Sequence, residues 1–150
     1  MGIRLSDLLP HLLTLGLGSA VMFSCSIWLG MGHIIISILG MFWFWGAICT
    51  KCNGYGSYGC PSGYGKISAV FFRREEGDFR KAFKRNIISV ALQWFIPLIF
   101  GVICLVISFS VLTAVLLGTF IIIAFIVLPV SSRGKGCARC PQRKECLWGR

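Results

Sequence analysis

The sequence predicts an all-α membrane protein of four transmembrane helices, paired as two hairpins, with a cysteine-rich cytoplasmic loop and tail. Three observations carry that prediction. Residues 8–48 contain no Asp, Glu, Lys or Arg, and neither do residues 87–132. Each block is about twice the ~20 apolar residues that cross a core of roughly 30 Å, so each must fold back on itself. The short alternating strands of a β-barrel are absent, which leaves helices, because every backbone group in a bilayer needs a partner inside the protein.

Residues 1–50 hold the first hairpin, with spans at 11–29 and 33–50 and a turn at Gly30-Met31-Gly32-His33. The segment before it fits two targeting patterns. Met1-Gly2-Ile3-Arg4-Leu5-Ser6 matches N-myristoylation, and Arg4 ahead of an apolar stretch resembles a signal peptide. Asp7 and Pro10 interrupt both, and no small-x-small site follows. Residues 5–13 are therefore read as an interfacial lead-in capped by Ser6 or Asp7.

Residues 51–86 form the cytoplasmic loop. Within it, residues 53–65 hold five glycines interleaved with Tyr55, Tyr58 and Tyr64, too glycine-rich for a helix. Residues 66–86 then suit an amphipathic helix with a break at Gly77. Phe72, Phe79 and Phe83 share its apolar face, and Glu76 and Arg80 stand four apart as a supporting pair. Such a helix lies on the membrane surface or serves as a plain connector with a solvated charged face. Residues 87–130 hold the second hairpin, with spans at 87–107 and 111–130 and a turn at Ser108-Phe109-Ser110. Residues 131–150 are the tail.

Charge sets the orientation. Of fifteen Lys and Arg, fourteen lie between Lys51 and Arg85 or between Arg133 and Arg150, and the other is Arg4. Two hairpins put all three regions on one side, which the positive-inside rule makes cytoplasmic. The net charge of +10 then calls for anionic lipid headgroups as counter-charge and for no nucleic acid.

The chemistry-bearing residues are cysteines. Cys49 and Cys52 make one Cys-x-x-Cys pair, followed by Cys60. Cys137 and Cys140 make another, followed by Cys146. The repeated pattern suggests a duplication with parallel halves. Cytoplasmic thiols stay reduced, so these six are read as metal ligands rather than a disulfide frame. Two Cys-x-x-Cys pairs supply four thiolates, enough for zinc or for one iron–sulfur cluster shared by both halves. Iron–sulfur is favoured because Cys60-Pro61 and Cys140-Pro141 carry the proline that follows the last ligand of a ferredoxin run. Unmetallated thiols and a reactive dithiol are the alternatives.

Tyr58-Gly59-Cys60-Pro61-Ser62-Gly63 resembles the C-P-x-G element of the membrane ferredoxins of nitrate and nitrous-oxide reductase maturation. The resemblance covers those few residues and implies electron transfer; that family's preceding cysteine would fall on Gly56. Four-helix quinone-linked thiol oxidoreductases also carry a Cys-x-x-Cys on a small bundle. Their reactive pair works on the oxidising side, whereas charge puts these cysteines on the reducing side.

Other residues have plainer readings. Cys25 and Cys104 lie inside spans and read as small core residues. His11, near the cytoplasmic end, and His33, near the outer turn, read as interfacial or packing residues, because a haem needs two ligands at one level. Trp28, Trp43, Trp45 and Trp148 suit interfacial anchoring, and Trp94 a lipid or inter-subunit contact. No ionisable Asp, Glu, Lys or Arg lies within a span, which argues against a coupled transporter or pump. No Ser-His-Asp arrangement or phosphate loop supports a hydrolase or kinase.

The expected function is therefore an integral protein of the cytoplasmic membrane that binds metal through Cys49, Cys52, Cys60, Cys137, Cys140 and Cys146. It would act as a small electron-transfer subunit of a larger membrane redox complex, more a non-catalytic subunit than an enzyme alone. A zinc-stapled accessory subunit and a soft-metal carrier are the alternatives. The orientation has a direct check in single engineered cysteines at positions 31 and 82. An impermeant maleimide added to intact cells is expected to label position 31 and to spare position 82; the opposite pattern reverses the orientation.

Overall fold

The computed structural model describes residues 5–57, 60, 63–131, 140 and 142, apart from the side chains of 5–8, 10 and 131. Among the described residues every regular element is helical. They are α1 (Leu5–Cys25), α2 (Ile27–Ala47), a 3-10 turn (Cys49–Lys51), α3 (Tyr64–Phe71), α4 (Phe79–Asn86), α5 (Ile88–Ile107), α6 (Val111–Ile121), a π-helical stretch (Ile122–Val127) and α7 (Leu128–Ser131). The wide π turns precede Pro129, which has no N–H to give to an ordinary helical ladder.

Three stretches are long and apolar enough to cross a membrane: Ile27–Lys51, Phe79–Ile107 and Val111–Val130. This corrects the expected four. His11–Cys25 of α1 is a shorter apolar helix. The expected cap at Ser6 or Asp7 involves side chains outside the described residues.

The first turn also differs. The chain reverses at Ser26, whose extended backbone separates α1 from α2, and not at residues 30–33. Gly30 lies inside α2, where any Cβ would run into the ring of Phe23 on α1. Its small size serves helix–helix approach, the use that small residues have in membrane bundles. The second turn falls between Ile107 and Val111, as expected.

α1 packs on α2, α5 and α6. Val21, Leu117, Phe120 and Ala124 form the buried apolar core between them. Gly101 on α5 makes the closest approach: a Cβ there would sit 2.8 Å from Val21 and 2.9 Å from Leu117. One turn further along both helices, Cys25 and Cys104 are joined in a disulfide with Cα atoms 5.9 Å apart. They are not the separate core residues that the sequence suggested. Their spacing from Val21 and Gly101 follows from two helices that run the same way and touch at a glycine.

The expected 66–86 helix is two short helices. α3 ends at Phe71, residues 73–76 are irregular, and α4 begins after Asp78, which caps it by accepting from the Arg80 and Lys81 amides at 2.8 and 3.2 Å. Glu76 thus lies outside α4, and the observed ion pair is Lys51 with Glu75 at 3.0 Å. Phe79 and Phe83 do share a buried face, but they bury it against Ile48 at the end of α2 rather than against lipid. Trp43 donates to the Asn86 side chain at 3.1 Å and closes the same corner. Trp28 is exposed, as an anchor should be, whereas Trp45 is buried and Trp94 packs edge-on to Phe125.

His33 is the main polar residue inside the bundle. It is 2% exposed, not interfacial, because moving the turn to Ser26 carries it nearly two turns into α2. Its Nε2 lies 3.4 Å from the carbonyl of Gln93, and its Nδ1 lies 3.1 Å from the Ser19 hydroxyl. Nε2 also lies 3.4 Å from the Ser37 hydroxyl. A carbonyl only accepts, so the Gln93 contact suits a proton on Nε2, with Ser37 accepting as well and Nδ1 left to accept from Ser19. The Gln93 carbonyl is free to be met because its helical donor would be the N–H of residue 97, which is Pro97. Gln93 also donates its side-chain amide to the Ser37 carbonyl at 2.8 Å. One proline thus recruits side chains from α1 and α2 to α5.

A double-mutant cycle tests this arrangement. His33→Leu should destabilise the protein by about 1–3 kcal/mol, the cost of an unsatisfied buried polar group. In a Pro97→Ala background the restored N–H should remove most of that loss. Unfolding in mixed detergent micelles reads both values, and simple additivity of the two substitutions would refute the account.

Candidate functional site

The thiol-rich end is built where α2 stops. Its last turn tightens into the 3-10 segment Cys49–Lys51, held by Thr50 donating its hydroxyl to the Gly46 carbonyl at 2.6 Å. Cys49 is buried and Cys52 half-buried. The chain then turns through Gly54 and Gly56, and the Gly56 amide donates to the Gly65 carbonyl at 2.9 Å. Gly56 and Gly63 both have left-handed backbones that favour glycine. Gly65 has no room for a Cβ, which would collide with the Gly54 carbonyl and come within 3.3 Å of Cys60. The glycines of this loop therefore fold it tightly enough to return Cys60 to the first pair.

Three of the six expected ligands meet here. Cys52 and Cys60 are close enough to Cys49 to interact with it electrostatically. Cys52 Sγ and Cys60 Cβ flank Gly54, at 3.5 and 3.6 Å from the position of a Cβ there. The Gly54 amide donates to Cys52 Sγ at 3.3 Å.

Tyr64 closes the inner side of the cluster. Burial, with the thiols of Cys49 and Cys60 beside it, pushes its phenol well above the usual value, so it stays protonated. Its ring lies 4.9 Å from His11, 5.9 Å from Phe44 and 5.9 Å from Trp45. His11 is thus a packing residue, as expected. Ser68 donates to the Trp45 carbonyl at 3.0 Å and fixes α3 against α2, while the Trp45 indole N–H has no acceptor among the described residues.

The tail reaches this cluster through a residue that sequence reasoning missed. Gln142, 3% exposed, accepts from the Asn53 amide at 3.0 Å through its side-chain oxygen. Asn53 follows Cys52, and Gln142 lies two residues beyond Cys140. The contact brings the region of the second Cys-x-x-Cys pair to the first. No sequence signal marks Gln142, because a lone glutamine has no pattern of its own.

Cys49 and Cys60 are free thiols. Among the described residues no group of three or more Cys, His, Asp or Glu is placed to hold one metal ion. The described thiols are neighbours without a closed coordination set. Cys137 and Cys146 lie outside the described residues, as do Trp148 and Tyr58, Gly59, Pro61 and Ser62 of the C-P-x-G element. No protein-family model, curated protein or solved structure matches this chain.

The Gln142 contact can be tested with a chain retaining only Cys52 and Cys140 of the six. A short bis-maleimide should cross-link them in the parent. Gln142→Leu, which lacks an acceptor, should lower the yield roughly 2–10-fold, the worth of one hydrogen bond of about 0.5–1.5 kcal/mol. Gln142→Glu should restore it, since a carboxylate oxygen also accepts. Equal cross-linking in the Leu variant would show that this contact does not hold the tail.

Proposed function

We propose that the chain is an integral protein of the cytoplasmic membrane whose thiol-rich end binds a metal centre. In this reading the centre is an iron–sulfur cluster, and the protein is a small electron-transfer subunit of a larger membrane redox complex. The observation that carries it is the proximity of Cys49, Cys52 and Cys60 at the end of α2, with Gln142 of the tail bonded to Asn53 beside them. Cys137 and Cys146 complete the proposed ligand set. The basic residues of the loop and tail offset the negative charge of a thiolate-ligated centre.

Three apolar stretches support membrane insertion. The cytoplasmic orientation of both termini rests on the charge bias. The basic face of α4, with Arg80, Lys81, Lys84 and Arg85, then meets anionic headgroups.

One observation favours a second reading. The tether between Asn53 and Gln142 joins parts of the chain 89 residues apart, as a structural staple would. A Cys₄ zinc site would reinforce that joint and leave two thiols over. A soft-metal carrier uses the same residues with a looser set.

Metal analysis of anaerobically purified protein separates these readings. Iron with sulfide, a visible absorption bleached by dithionite and a paramagnetic signal in one oxidation state are expected. Cys60→Ser or Cys146→Ser should strip or convert the cluster while the bundle still inserts. Stoichiometric zinc without iron, unchanged by either substitution, would replace electron transfer with the staple.

A further inference from the structure

We propose that Cys25 and Cys104 are an oxidation site, closed into a disulfide by exchange with a partner protein's disulfide in an oxidising compartment, to clasp the two hairpins together. The inference is independent of any metal at the other end. Two groups of cysteines lie at opposite ends of the bundle. Cys49, Cys52 and Cys60 lie where α2 ends. Cys25 is the last residue of α1, and Cys104 lies one turn from the end of α5, beside the turns at Ser26 and at 108–110. Disulfides form and persist in oxidising compartments and are rare in reducing ones. The bonded pair therefore assigns the turn end to the oxidising side, by an argument that uses no charge.

The surroundings suit such a reaction. Ser24, Ser26, Ser108, Ser110 and Thr113 give this rim hydroxyl groups, and Thr113 donates to the Ser24 hydroxyl at 3.0 Å. Both cysteines are half-buried, within a turn of the helix ends, so a reagent from that side reaches them. Packing pre-aligns them. The close approach of α1 and α5 at Val21 and Gly101, one turn earlier on each helix, sets the Cα atoms 5.9 Å apart, within the range that a disulfide bridges.

The exchange balances without a metal. The thiolate of one cysteine attacks the partner's disulfide, forming a mixed disulfide and releasing one partner thiolate. The second cysteine's thiolate attacks the mixed disulfide on this chain's sulfur. The Cys25–Cys104 bond forms, and the partner leaves as a dithiol that has gained two electrons and two protons. The bond joins the first hairpin to the second only after both have inserted, because its two sulfurs belong to different hairpins.

The test uses full-length protein in intact cells. Thiols are trapped with acid and blocked, disulfides are then reduced, and newly freed thiols are tagged with a maleimide polymer that shifts the gel band. Two tags of a possible eight are expected. Cys25→Ser and Cys104→Ser should each abolish both. Gly101→Leu, which pushes α1 and α5 apart, should cut the oxidised fraction several-fold. In a parallel sample, an impermeant phosphine added outside should expose the pair to an impermeant maleimide without permeabilisation. Peptide mass spectrometry of the wild-type protein identifies the linked peptides if a variant fails to insert. Both cysteines found free at the acid quench, or a pair reached only after permeabilisation, would overturn the proposal.

Discussion

Pro97 leaves the Gln93 carbonyl without its helical donor inside the bundle. Much of the bundle's internal polarity follows from that vacancy. His33 crosses from α2 to meet the Gln93 carbonyl, which suits a proton on Nε2 and leaves its other nitrogen to accept from Ser19 on α1. The Gln93 side chain returns to α2 through the Ser37 carbonyl. In water such bonds add little, but in lipid the unpaired alternative is costly, although measured intramembrane bonds average only about 0.6 kcal/mol. The helices that converge on Pro97 are also those that bring Val21 to Gly101, and so Cys25 to Cys104.

The membrane class was legible because it depends on composition over long windows, and no local detail can reverse forty residues without charge. The second turn was legible because Ser108 and Ser110 bracket a short polar break. The first was not. Glycine signals a turn when it needs a left-handed backbone, and signals close packing when a neighbouring ring needs its space. Sequence gives the same letter for both, and Phe23 decided for packing at Gly30. His33 was misplaced by the same error, since its depth is counted from the turn. In the 66–86 segment the phenylalanine periodicity was right for α4, but it could not show whether lipid or the end of α2 would cover that face.

The candidate site was half legible. Cys-x-x-Cys spacing is a local pattern, and it put Cys49 and Cys52 at the end of one helix. The return of Cys60 depends on the folding of the glycine loop, and its glycines announced a loop without its path. Tyr64 joined the site through burial and Gln142 through a bond between distant segments, both tertiary facts. The Cys25–Cys104 bond was hidden because two cysteines 79 positions apart carry no shared pattern. Only the approach of α1 to α5 makes them a pair.

The bond between Asn53 and Gln142 also has a consequence for synthesis. Among the described residues every helix precedes Gln142, and α7 ends at Ser131. A ribosome therefore finishes those helices before it makes the residue that tethers the tail to the loop. During that interval Cys49, Cys52 and Cys60 are already made while Gln142 is not. A chain truncated after α7 would hold every helix of the described residues and lack the tether.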